Sequence, residues 1–467
     1  MGLTTFAQDI AFGLGDRVSA LSEALFDPTL RLGVTGLARA GKTVFITSLV
    51  SNLIDRARMP QLHAQAQGRI ARVYLQPSPD VTVPRFDYER NRAALLGPAP
   101  VWPVATRAIS QLRLTIEMAP AGFLGRSRAL HLDIVDYPGE WLLDLSLLPL
   151  GFGEWSAQVL ERLRDRPEAA GFLDRLQGLE ETRWDEGQAL ALAESYAAML
   201  AALRAAGLSD VTPGRFLMPG DLAGSPALTF APMPRPESPA RSGLWRAFER
   251  RFEAYKTHVV RPFFRDHFAR IDRQVVLVDA LEAIHQGPAA LEDMRRAMAG
   301  VLAGFKPGRG GLLSDLWAGR RVERILFAAT RADHLHHAQH PRLAAILAAM
   351  LREAKDRADF AGAQTAAMAI AALRATTEAE VTRDGQVIQA VQGVLQGTGR
   401  AARMFPGDLP SDPARLLDPA RAGAGTWLGA DYAVMRFAPA PIELAPGEGL
   451  PHIRLDRAVE FLIGDRL

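Results

Sequence analysis

"TLRLGVTGLARAGKTVFITSLVSNLI", residues 29–54, begins as a short apolar strand-forming run, turns through a glycine-rich loop and continues as a helix-compatible run. Inside it, Gly36-Leu37-Ala38-Arg39-Ala40-Gly41-Lys42-Thr43 satisfies G-x-x-x-x-G-K-[ST]. The strand before and the helix after supply the context in which that pattern works as a phosphate loop. Its glycines let the backbone curl so that N–H groups face phosphate oxygens, and the helix N-terminus adds a favourable dipole. Gly36, Arg39, Ala40, Gly41 and Val44 are therefore expected around a nucleotide's phosphates. Lys42 would bridge the outer phosphates, and Thr43 would give its hydroxyl to Mg²⁺, an ion that needs few protein ligands.

Outward from this unit, "LRLTIEM" and "ALHLDIVD" read as adjacent strands, and "QVVLVDAL", "RILFAAT" and "AAMAIAAL" as three more, each separated by helix-like sequence. Strands alternating with helices predict an α/β fold: a mainly parallel sheet with helices on both faces. Residues 57–103 carry seven prolines and read as a large irregular loop. Residues 151–270 read as a large α-helical insertion. Asp384-Gly385 between alternating runs suggests a hairpin in a small C-terminal β-containing segment. The expected division is an N-terminal helix (1–30), a nucleotide-binding core in two parts (31–150 and 271–378) around the insertion (151–270), and a C-terminal segment with a hairpin and a closing helix (379–467).

Composition narrows the function classes. At 467 residues the chain exceeds one hydrophobic core, which stops growing near ~250–300 residues. A net charge of +2 without a long basic run argues against a nucleic-acid partner. Zero cysteines exclude disulfides and thiolate metal sites and fit a reducing compartment, here read as cytoplasmic. The longest apolar runs fall far short of the ~20 residues that cross a bilayer. Residues 6–26 carry an apolar stripe at helical spacing, read as packing on the protein's own body; a peripheral contact with the inner membrane is the other use such a stripe can have.

A phosphate loop does not choose its base, so the remaining stations matter. "LDIVDYPGEW" places Asp136 at a strand end and Gly139 three residues on, as in D-x-x-G: Asp136 can hold a magnesium-bound water and the Gly139 N–H can sense the γ-phosphate. "ILFAATRADH" follows, where Thr330-Arg331-Ala332-Asp333 is similar to the [NT]-K-x-D guanine signature with arginine for lysine. An aspartate there accepts both guanine N1–H and N2–H₂, a pairing that adenine cannot satisfy. The structural alternative makes Asp333 a helix cap. Ala372 and Leu373 in "AIAALRAT" mark a loop that would close over the base.

These blocks, with "WPVATRAISQLRL", "VVLVDALEAI", "MFPGDLP" and "PHIRLDRAVEFLIGDRL", resemble the YcjX-like family of bacterial stress-associated GTP-binding proteins from about residue 31 to the end. The resemblance implies a P-loop NTPase of Ras-like type, GTP or GDP bound with Mg²⁺, a cytoplasmic location and a role in envelope or heat stress. It names no effector or activator.

For hydrolysis, Thr106 is the expected switch threonine that completes Mg²⁺ coordination, and Arg107 a residue that could neutralise transition-state charge. Glu140 stands where many Ras-like enzymes keep a water-orienting glutamine. A carboxylate beside a γ-phosphate is unfavourable, so either its pKa rises or it turns away. Slow intrinsic turnover is the expectation, and a P-loop ATPase or a GDP-locked scaffold are the alternatives. Four of ten histidines crowd into "DHLHHAQH"; His336 and His340 share a helical spacing, with solvated histidines as the default reading.

Overall fold

The computed structural model describes residues 28–467 apart from 38, 79, 105–107, 121–127, 178, 180–183, 238–239, 241–242, 304–321, 361, 384 and 428–431. Thr106, Arg107 and the stripe at 6–26 lie outside the described residues, as do the side chains at 269, 302, 303, 354, 357, 360 and 383.

A seven-stranded sheet forms the centre, in the order β2-β3-β4-β1-β5-β6-β7. Its strands are β1 (Thr29–Gly36), β2 (Ile70–Gln76), β3 (Ser110–Met118), β4 (Arg128–Asp136), β5 (Arg273–Val278), β6 (Arg324–Ala329) and β7 (Gln364–Ala369). From β4 through β1, β5 and β6 to β7 every pairing is parallel; β3 runs antiparallel to both of its neighbours. Central parallel strands are covered on both faces and read as apolar runs, as "QVVLVD" does. In β5, Val275 and Leu277 join one apolar core and Val276 and Val278 the other, the two-residue alternation of a strand.

Helices from both ends of the chain cover the first core. α1 (Lys42–Ile54) buries Phe45, Ile46, Leu49, Val50 and Leu53, at roughly 1.5–3 kcal/mol per apolar side chain. Its polar side is buried too: Asn52 donates to Ser48 O at 2.9 Å and to Leu450 O at 3.0 Å, so the C-terminal segment covers what the sheet leaves open. α2 (Tyr88–Leu96) is N-capped by Asp87 and packs on α1.

On the other face lie α3 (Phe152–Leu163), α4 (Glu186–Ala205) and α5 (Leu244–Tyr255), from the helix-rich stretch between β4 and β5 that the sequence reading expects as an insertion, then α6 (Ala280–Gln286), α7 (Pro288–Ala303) and α8 (His340–Met350). Trp155 stacks on Phe252 with ring centroids 4.9 Å apart, within an aromatic cluster that includes Phe152, Tyr196 and Phe230. This apolar core is continuous with the sheet face carrying Val276 and Phe327. The closing helix α9 (Leu455–Ile463) returns to the sheet and packs on β5 and β6 through Leu455, Val459 and Leu462.

The segment 57–103 is a correction to the sequence reading: it holds β2 and α2. β2 is an edge strand with only Ile70 and Val73 well buried, so its alternation is faint, and the flanking prolines mask it. The expected hairpin is present: β8 (Thr377–Arg383) and β9 (Gln386–Val394) pair antiparallel through a two-residue turn with Gly385 at φ 78°, and β10 (Ala401–Met404) completes a three-stranded sheet. Among the described residues no helix is long and apolar enough to cross a membrane.

Candidate nucleotide-binding site

The phosphate loop, Asp136 and the 330–333 motif lie at the carboxyl edge of the parallel strands, where open α/β sheets bind ligands. β1 ends at Gly36, β4 at Asp136, β5 just before Asp279 and β6 just before Thr330. A cleft of about 390 Å³ runs along this edge and is lined by Arg39, Lys42, Thr43, Thr330, Asp333 and Leu373, among others.

On the phosphate side, Arg39 and Gly41 take φ values of 65° and 83°, and α1 starts immediately after Gly41. Ala40 N–H closes onto Leu37 O at 3.1 Å, and Lys42 Nζ curls back to donate to Gly36 O at 2.6 Å. Thr43 Oγ1 donates to Val104 O at 3.4 Å, which seats the segment just ahead of Thr106 against the loop. Asp136 is buried beside Val34 of β1. Gly139 abuts the loop so closely that a Cβ there would run into the Gly36 carbonyl oxygen. Val44 packs with Leu95, Leu373 and Leu450 rather than facing the cleft alone. Asp133, on the opposite strand face from its neighbours, pairs with Arg113 at 2.6 Å and serves the sheet.

On the base side, Asp333 is 5% exposed. Its Oδ2 accepts Ala375 N–H at 2.9 Å and its carbonyl accepts the Thr376 hydroxyl, so the loop after β7, which includes Ala372 and Leu373, is fastened to it. Thr330 N–H donates to Val278 O at 3.0 Å. Arg331, at φ 57°, turns its guanidinium to Asp279 and Glu282, both at 3.1 Å, and Arg436 holds Glu282 from the other side at 3.0 Å. Burial raises the Asp279 carboxyl above the usual range, with Arg331 opposing.

The sequence reading missed a wall of this cleft. Trp102, Pro103, His334, Gln396, Arg436 and Phe437 also line it. Trp102 Nε1–H donates to Phe437 O at 2.9 Å, joining segments far apart in the chain. His334 is buried edge-on to Phe437, its Nδ1 has no hydrogen-bond partner among the described residues, and burial lowers its pKa. A buried imidazole nitrogen without a partner suits a ligand. No local pattern marks these residues; only the pairing of two loops does.

Glu140 has turned away. Its buried carboxylate meets Arg204 of α4 at 2.8 Å, and its backbone carbonyl is pressed against Gly214 of the insertion. The next turns are held as firmly: Trp141 Nε1–H donates to Met218 O at 3.0 Å under the Arg215 guanidinium, 3.2 Å from the ring centroid. Asp144 accepts Gly214 N–H at 2.7 Å and Tyr255 O–H at 2.6 Å. Burial pushes the Asp144 carboxyl up to about 7, against those donors.

The default reading of solvated histidines is corrected for two of the four: His334 and His340 are buried. His340 is buried, with Nε2 shared between Ala332 O and Leu335 O and Nδ1 facing Arg454. His336 instead sits beside His337 and Glu378.

The sequence profile of the YcjX-like family, DUF463, matches residues 30–467. A protein of Escherichia coli (strain K12) named Ras-like GTPase YcjX is 35% identical, the alignment covering 97% of this chain and 99% of that protein. Another of the same name from Shewanella oneidensis (strain MR-1) is 36% identical, over 94% and 95%. With a P-loop α/β core and similarity along its whole described length, the chain belongs to the YcjX-like family.

Proposed function

We propose that this protein binds GTP and GDP with Mg²⁺, hydrolyses GTP slowly, and acts in the bacterial cytoplasm as a regulatory switch in the stress response, through a protein effector or activator. The observation that carries the reading is that the phosphate loop and Thr330, Arg331 and Asp333 line one cleft, with Gly139 packed against the loop at Gly36. The relatives' name, Ras-like GTPase, supports the same base and reaction.

The roles follow from position. The loop from Gly36 to Val44 wraps the phosphates and Lys42 exchanges its Gly36 contact for phosphate oxygens. Thr43, Thr106 and Asp136 are the residues suited to hold Mg²⁺, which when bound neutralises phosphoryl charge. Asp333 reads the base, and Arg107 adds positive charge. Glu140, tied to Arg204, leaves no neutral side chain to orient a water at its position, which supports slow turnover. The fastening of Glu140–Asp144 to the insertion also favours a second reading, a GDP-locked scaffold with negligible turnover.

The division into a split core, an insertion and a C-terminal segment is part of the proposal, with loss of the γ-phosphate loosening the segment after Gly139. An Asp333→Asn variant offered xanthosine nucleotides tests the base assignment. A shift of preference from guanine to xanthine is expected; unchanged guanine preference would show that Asp333 serves only to fasten the loop after β7, since its carboxylate caps no helix and accepts Ala375 N–H.

A further inference from the structure

The geometry points to a second ion site: we propose that His336, His337 and Glu378 bind a transition-metal dication of the zinc type. One donor atom from each residue lies within 4.8 Å of the other two. His337 Nδ1 stands 3.0 Å and His336 Nε2 3.5 Å from the same Glu378 oxygen, Oε2. A tetrahedral ion with bonds of about 2.0–2.2 Å keeps its ligand atoms about 3.3–3.6 Å apart, so the His336 separation already fits zinc and the His337 one has to open by only about 0.3–0.6 Å. Two imidazoles and one carboxylate are a borderline-soft donor set that suits zinc and its neighbours; magnesium and calcium prefer all-oxygen sites. A water can fill the fourth position.

The donors are also oriented before any ion arrives. Glu378 Oε1 accepts His337 N–H at 2.9 Å, which fixes the carboxylate, and the two ring centroids lie 4.2 Å apart with the planes tilted by 41°. His336 gives up only a long 3.4 Å contact from Ala338 N–H when its ring proton moves to Nδ1. The two supporting segments are already joined, because Asp333, three residues before His336, holds Ala375 and Thr376, just ahead of Glu378. An ion here would therefore clamp the segment 333–337 to β8. That consequence for the base rests on the guanine reading of Asp333; the site itself does not.

The test uses the untagged full-length chain with GDP and excess Mg²⁺, titrated with ZnCl₂ by calorimetry, and with CoCl₂ by visible absorption. Glu378→Gln and His337→Gln are the paired variants, both at exposed side chains where folding should survive, with melting curves as the control. One zinc equivalent in the wild type, weakened at least tenfold in each variant with unchanged melting, is the expected result. Zinc binding of equal strength in wild type and Glu378→Gln, or no zinc binding by the wild type, would overturn the site. The clamp predicts that zinc slows release of a fluorescent GDP analogue from the wild type and leaves Glu378→Gln unaffected. Zinc bound without any change in release rate would overturn the clamp while leaving the site.

Discussion

Gly139, Glu140 and Asp144 carry the switch at the scale of single residues. Because a Cβ at Gly139 would strike the Gly36 carbonyl, Gly139→Ala should distort the phosphate loop and weaken GTP and GDP binding at least tenfold, measured by calorimetry. Glu140→Gln replaces an ion at the water-orienting position with a neutral amide. It should raise multiple-turnover GTP hydrolysis roughly tenfold, the effect of about 1.4 kcal/mol on the barrier; a fall in rate would mean that the carboxylate itself assists. Asp144 sets a pH dependence. Its folded pKa of about 7 lies above the ordinary ~3.9, so the native state binds more protons than the unfolded chain between those values. Stability from this residue is greatest below about pH 4, declines as pH rises through the window and is flat above it, a change of at most roughly 4 kcal/mol. Asparagine can still accept from Gly214 N–H, so Asp144→Asn should lose this decline when denaturant melts are compared from pH 4 to 8.

Between elements, the informative contact is that of α4 with the turn after β4. Arg204→Ala would strand the buried Glu140 carboxylate, at a cost of about 3–5 kcal/mol, whereas Arg204→Ala combined with Glu140→Gln should recover most of it, as a double-mutant cycle in urea would show. The phosphate loop, Asp136, Gly139 and the 330–333 motif were legible in the sequence as local patterns at or just beyond a strand end. What was not legible depends on pairing across the chain. Trp102 meets Phe437 across more than three hundred residues, and β2 declares itself only when β3 lies beside it. His340 read as a solvated histidine, but it is buried, and its neighbours in space are backbone carbonyls and Arg454. Glu140's partner, too, is contributed by a helix more than sixty residues on.

For the molecule as a whole, the insertion and the closing helix make the two faces of the sheet equally dependent on distant sequence. α9 is part of the core: Leu462 is 1% exposed, and Arg273, fully buried in β5, donates to Leu462 O at 3.0 Å and pairs with Asp465. Leu462→Ala should cost about 2–5 kcal/mol in denaturant unfolding although it lies far from the nucleotide cleft. The central claim, that this whole assembly presents a guanine-nucleotide site, is tested most directly by titrating the nucleotide-free protein with GTP, GDP and ATP in the presence of Mg²⁺ by calorimetry. GTP and GDP binding at least a hundredfold tighter than ATP is the result predicted. ATP binding as tightly as GTP would contradict it, leaving a phosphate loop with no guanine reader at Asp333.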